Sequence, residues 1–219
     1  MRVLISGTSR GIGLETAEKF LKEGHEVFGL DLNESAIDNK HYHHFVCDIK
    51  NKESLPNIQE INILFNNAGL QNSNNDIENN LIGTINVTEK YGYQDSIKSI
   101  LFNASASNQS GSEFPYYVAS KAGVVGYMRH VAIDLANKKV TVNSISLGGV
   151  YDELNNPVIN NKDLWNKIME RTPMKKWTDL SEVAEWVYFL TVVNKSMSGE
   201  DLLIDNGEFK LNSSFVWPK

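Results

Sequence analysis

Short apolar runs alternate along the chain with longer segments whose apolar positions recur every three to four residues. The short runs fall at residues 2–6, 26–30, 44–47, 62–66, 99–103, 140–145 and 201–204 and read as strands. The longer patterns fall near 12–22, 77–91, 117–137, 164–171 and 181–193 and read as helices. This alternation predicts βαβ units, hence an α/β fold with one doubly wound parallel sheet and helices on both faces. Helix 117–137 carries Val124, Val125, Tyr127, Met128 and Val131 around much of its girth, which marks it as buried. Two polar stretches interrupt the pattern. Residues 71–80 are rich in Asn and read as a loop entering a helix. Residues 151–163, with Pro157 among them, read as a connection over the site.

A chain of 219 residues suffices for one sizeable core and is short for two. The expected organisation is a single domain over residues 1–209 and a tail over 210–219. Phe215 and Trp217 in the tail would dock on the body or a neighbouring subunit, or the tail would end loosely. The net charge of -6 offers no basic face to nucleic acid or anionic lipid. No apolar stretch approaches the roughly 20 residues that span a bilayer. The N-terminus runs straight into a strand pattern, and Cys47 has no partner for a disulfide, so the reading is a cytoplasmic protein. His41, His43 and His44 lie close together, but His43 and His44 would point to opposite faces of a strand. With no cysteine–histidine set of zinc spacing, no metal site is expected.

The first strand leads into Gly7-Thr8-Ser9-Arg10-Gly11-Ile12-Gly13, which opens the first helix. Glycines there let a turn close tightly and let backbone N–H groups approach a pyrophosphate at the helix N-terminus. Asp31 closes the second strand, where a carboxylate accepts hydrogen bonds from ribose hydroxyls and repels a 2′-phosphate. NAD is therefore favoured over NADP. Arg10 argues the other way, since a cation in the loop helps hold a phosphate, so NADP stays open.

Tyr117 and Lys121 are four residues apart on a helix and share one face. A free phenol, with a pKa of about 10, is a poor base near neutrality. A nearby ammonium should lower that value and make the pair a tuned acid/base.

Taken in order, Gly7…Gly11-Ile12-Gly13, Asn66-Asn67-Ala68-Gly69 and Tyr117-Val118-Ala119-Ser120-Lys121 resemble the successive signatures of the short-chain dehydrogenase/reductase family. Asp48-Ile49, Asn80-Leu81-Ile82-Gly83, Val142-Asn143-Ser144-Ile145 and Asp205-Asn206-Gly207 extend the resemblance over almost the whole chain. It implies a Rossmann sheet, NAD or NADP as cofactor, hydride transfer to or from a small alcohol or carbonyl substrate, and assembly as a homodimer or homotetramer. It implies that Gly7, Ser9, Arg10, Gly11, Ile12 and Gly13 hold the phosphates. Asp48 and Ile49 would lie near the adenine, with Asn67, Ala68, Gly69, Gly148 and Val150 beside the cofactor. Tyr117 and Lys121 would also touch it, Lys121 at the ribose. Asn80 would hold a water that links Lys121 to solvent.

The family's serine register before the tyrosine lands on Ala104, so Ser105 is the first candidate and Ser107 the second. The family's proline–glycine after the sixth strand appears as Leu147-Gly148-Gly149, and Tyr151-Asp152 stands where a threonine is usual. Two further readings stay open, the first of them motivated by these departures. One is a non-catalytic dinucleotide-binding regulator on the same fold. The other is an NADPH-dependent 3-ketoacyl-type reductase.

Overall fold

In the computed structural model, which describes residues 1–211, seven strands form. They are β1 (Arg2–Ser6), β2 (Glu26–Asp31), β3 (Tyr42–Val46), β4 (Ile63–Asn66), β5 (Ser99–Asn103), β6 (Thr141–Leu147) and β7 (Asp201–Ile204). All pair in parallel, in the order β3-β2-β1-β4-β5-β6-β7. Strand order therefore reverses between β1 and β4, which opens a crevice at their carboxyl ends. The helices are α1 (Gly11–Lys22), α2 (Gly83–Tyr91), α3 (Ser107–Ser110), α4 (Pro115–Leu135), α5 (Asn156–Ile159), α6 (Lys162–Arg171) and α7 (Leu180–Tyr188).

Strand alternation divides the core into two layers. Leu4, Leu64, Ile100 and Phe102 face α2 and α4, where Val87, Tyr91, Val124, Met128 and Val131 meet them. Val3, Ile5, Phe65 and Leu101 face α1 and α7, against Ala17, Phe20, Val183 and Val187. A fully buried strand would ordinarily be apolar throughout, yet β6 carries Asn143, Ser144 and Ser146. Each has a partner: Asn143 donates to the Met197 carbonyl at 2.9 Å, and both serine hydroxyls donate to the Asp201 carboxylate at 2.7 and 2.8 Å. These bonds pin the outermost strand β7 to the sheet. Asp179 and Glu182 close a reciprocal capping box at the start of α7.

Elements that differ from the sequence expectation include β3, the 77–91 helix and the connection after β6. β3 begins at Tyr42, two residues before the expected start, because Tyr42 is buried and its hydroxyl donates to Thr8 at 2.9 Å. The helical pattern of 77–91 divides into a wide π-type turn, Ile77–Ile82, followed by α2. The connection after β6 contains α5, which Pro157 near its first turn favours. Residues 212–219, with Phe215 and Trp217 and the docking expected of them, lie outside the described residues. Among the described residues, no helix is long and apolar enough to cross a membrane.

Candidate active site

The turn after β1 is tight for steric reasons. Gly7 has φ of +76°, and a methyl there would lie 2.9 Å from the Ala68 Cα. On Gly13 a methyl would meet the Gly7 carbonyl oxygen at 1.8 Å. Only glycine permits this approach of helix to strand. Arg10 is exposed and forms the N-cap of α1 without a capping side chain, so the N-cap residue leaves the first-turn N–H groups of Gly11, Ile12 and Gly13 uncapped. Asp31 steadies the loop: its Oδ2 accepts from the Ser9 N–H at 2.9 Å and its Oδ1 from the Asn33 N–H at 2.9 Å. The Ser9 hydroxyl and His44 Nε2 both meet the Asn33 carbonyl, at 3.0 and 2.8 Å. His44 thus belongs to the edge where an adenosine ribose would lie, while His43 stacks on Phe28.

The end of β4 is tied to the same turn. Ser6 Oγ accepts from the N–H groups of Asn67 and Ala68, both at 3.0 Å. The Asn67 amide donates to the Ser6 and Gly7 carbonyls and accepts from Asn103 at 2.9 Å. Ile49 is buried against Gly83, and Asp48 accepts from the Lys50 N–H at 3.0 Å. Gly148 admits the Asp205 backbone, to which a methyl would come within 2.9 Å. Val150 is buried in a bridge to Thr178.

Tyr117 and Lys121 share the face of α4 turned to this crevice. A methyl on Gly69 would stand 3.1 Å from Asn80 Oδ1 and 3.5 Å from Lys121 Nζ, so Gly69, Asn80 and Lys121 meet. The Asn80 side chain is fully engaged. Its amide donates to the Leu70 carbonyl at 2.8 Å and to Ser120 Oγ at 3.0 Å, and its oxygen accepts from the Leu70 N–H at 2.7 Å. It therefore clamps the loop after β4 to α4. Ser105 is the serine near enough to the Tyr117 phenol to act on it, and its hydroxyl accepts from the Ser107 N–H at 3.2 Å, whereas the Ser107 hydroxyl is buried with no partner among the described residues.

One expectation fails in this geometry. Lys121 does not lower the Tyr117 pKa. Burial pushes the phenol up to about 12, with Ser105 opposing and the Glu113 and Asp76 carboxylates adding to the rise. Burial also lowers the Lys121 ammonium to about 8, against Asp76 and Glu113. The physical reason is desolvation, together with the position of Lys121. Its Nζ donates to the Asn103 carbonyl at 2.7 Å and lies 5.7 Å from the Tyr117 ring centre.

Sequence patterns did not single out Asp76 or Glu113. Asp76 is buried and accepts from the Ser73 hydroxyl at 2.9 Å, and Glu113 accepts from the Gln71 amide at 2.9 Å. Both sit in polar loop stretches, where a carboxylate has no distinguishing pattern.

A family model described as enoyl-(acyl carrier protein) reductase matches residues 7–208. The chain belongs to the short-chain dehydrogenase/reductase family. As a short-chain dehydrogenase/reductase, it is an oxidoreductase of alcohol and carbonyl groups that works with a nicotinamide dinucleotide. It is 28% identical to the 3-oxoacyl-(acyl-carrier-protein) reductase FabG of Buchnera aphidicola, over 94% of this chain and 96% of the relative. It shares its fold with 4-hydroxyisoleucine dehydrogenase complexed with NADH, at 22% identity and a TM-score of 0.86, over 96% of this chain and 99% of the other. Thermoplasma acidophilum aldohexose dehydrogenase in ligand-free form matches at 24% identity and a TM-score of 0.83, over 100% of this chain and 97% of the other.

Proposed function

We propose that this short-chain dehydrogenase/reductase interconverts a small alcohol and its carbonyl compound with NAD(H), using Tyr117 as the proton donor and acceptor. The observation that carries the reading is the placement of Tyr117 and Lys121 one turn apart on α4, with Lys121 Nζ on the Asn103 carbonyl at the end of β5, at the strand ends where the glycine turn opens. The dinucleotide, when bound, supplies or accepts the hydride. Ser105 holds the substrate oxygen, and Tyr117 protonates it as the carbonyl is reduced. A phenol at about 12 stays protonated near neutrality, which suits a donor. Lys121, at about 8, is the stronger acid of the two and returns a proton to the phenolate. Asn80 keeps the loop after β4 in register with Lys121, so that a water held there can refill the lysine.

The residues present fit the dinucleotide. Gly7, Ser9, Arg10, Gly11, Ile12 and Gly13 would hold its phosphates on the uncapped first-turn N–H groups of α1. The Asp31 carboxylate would take the ribose hydroxyls and repel a 2′-phosphate, which favours NAD over NADP. Asp48 and Ile49 would border the adenine. Asn67, Ala68, Gly69, Gly148, Val150, Tyr117 and Lys121 would line the path toward the nicotinamide. The same reading carries a cytoplasmic homodimer or homotetramer, as the family resemblance implies. A second reading, reduction of a 3-oxoacyl thioester with NADPH, is supported by the activity named for the FabG relatives.

The test is oxidation of NADH and NADPH by the purified chain over a panel of ketones, aldehydes and 3-oxoacyl thioesters. Carbonyl-dependent oxidation of NADH is expected. Tight dinucleotide binding with no turnover on any carbonyl would instead favour a non-catalytic dinucleotide-binding regulator.

A further inference from the structure

The open face of the glycine turn is met by a carboxylate of the chain itself. Gly11 is the first residue of α1 and has φ of +56°. A methyl group on it would lie 2.1 Å from Asp152 Oδ2 and 3.2 Å from Asp152 Cγ. The carboxylate therefore packs against the Gly11 Cα, on the side that a side chain would fill. A glycine in such a turn leaves that side bare so that a phosphate can reach the backbone. Asp152 is itself buried, and its other oxygen is committed: Oδ1 accepts from the Leu154 N–H at 2.9 Å and caps the short turn Glu153–Asn155. The surrounding strap is anchored on both sides. The Tyr151 N–H donates to the Thr178 carbonyl at 3.0 Å, and the Asn155 amide donates to the Val150 carbonyl at 2.9 Å. Asp152 is thus held over the helix N-terminus by a built loop.

We infer that Asp152 sets the affinity and the redox-form preference of the cofactor site, as an internal anion that a dinucleotide pyrophosphate must displace or tolerate. The inference rests on the dinucleotide-binding reading above. A carboxylate and a helix N-terminus attract each other, which stabilises the free protein. The same carboxylate repels the incoming pyrophosphate. It also distinguishes the two cofactor forms. NADH carries one more net negative charge than NAD⁺, because reduction removes the nicotinamide's positive charge. Repulsion therefore penalises NADH more, and the free carboxylate biases the site toward the oxidised form.

The test measures dinucleotide binding itself, with NADH followed by its fluorescence and NAD⁺ by calorimetry. The proteins are the wild type, Asp152→Asn, Asp152→Thr and Asp152→Glu. Asn and Thr remain good helix caps, so the Leu154 contact is kept while the charge is lost. Glu keeps the charge. Asn and Thr variants should bind NADH about tenfold more tightly, with a smaller gain for NAD⁺, and the Glu variant should stay near the wild type. NADH binding by the Asn variant where the wild type binds none would support the inference in its strongest form. Equal or weaker NADH binding by the Asn and Thr variants, in proteins that melt like the wild type and bind NAD⁺, would overturn this inference alone. Failure of every protein, wild type included, to bind any dinucleotide would overturn the dinucleotide reading and this inference with it.

Discussion

The Ser107 hydroxyl is fully buried and meets no hydrogen-bonding atom among the described residues, while the Ser105 hydroxyl two residues earlier accepts from the Ser107 N–H and lies near the Tyr117 phenol. The two serines should respond oppositely to truncation. Ser107→Ala removes an unsatisfied polar atom and should raise stability by about 1 kcal/mol in a urea titration, with turnover unchanged. Ser105→Ala should leave stability within about 1 kcal/mol and lower kcat by about one to two orders of magnitude. A loss of turnover confined to Ser107→Ala would move the oxygen-holding role to that residue. In the sequence, the serines were an unresolved pair, because the register before Tyr117 fell on Ala104. Side-chain direction after β5 depends on how the chain turns into α3, and no local pattern encodes that turn. The Tyr117–Lys121 pairing on one face followed from helical spacing, but the direction of their pKa shifts did not. Spacing gives proximity, whereas burial, which dominates here, is a property of the assembled site.

At the scale of elements, the strands were legible because a parallel sheet buried on both faces demands near-continuous apolar runs. The boundaries that moved did so for tertiary reasons. β3 starts at Tyr42 because its hydroxyl reaches Thr8 on the glycine turn, a contact between segments far apart in sequence. The wide turn Ile77–Ile82 was invisible in the apolar periodicity, yet it is where Asn80 clamps Leu70 and Ser120. Such turns inside helices often accompany function. Asn80→Ala would release two backbone groups of Leu70 and the Ser120 hydroxyl. A loss of about 2–3 kcal/mol in chemical denaturation is expected, together with a fall in kcat that exceeds any rise in KM. Unchanged kcat in a folded Asn80→Ala protein would remove the clamp from the catalytic account.

For the whole molecule, the buried ammonium of Lys121 links global stability to pH. Its pKa falls from 10.5 in the unfolded chain to about 8 in the fold. Below about pH 8 both states hold the proton and the folded state bears the full cost of a buried charge. Between about 8 and 10.5 the unfolded chain still binds the proton that the fold has released, so this contribution makes stability rise with pH. Above that window the cost is gone. Lys121→Met keeps the volume and discards the charge. It should melt higher than the wild type at pH 7, by the equivalent of up to about 3 kcal/mol, and the advantage should shrink as pH climbs through the window. Calorimetric melting curves at pH 7 and 9.5 check this, and a constant difference would contradict it. Such a stability cost at a proposed catalytic position is the pattern expected where function sets the residue.

The central claim is that Tyr117 performs the proton transfer while the glycine turn holds the dinucleotide independently of it. The most direct measurement pairs two numbers on one variant: NADH affinity and carbonyl-dependent NADH oxidation for Tyr117→Phe against wild type. The variant should bind NADH within about threefold of the wild type and lose about two to four orders of magnitude in turnover. A Tyr117→Phe protein that binds NADH equally well and turns over at the wild-type rate would contradict the account.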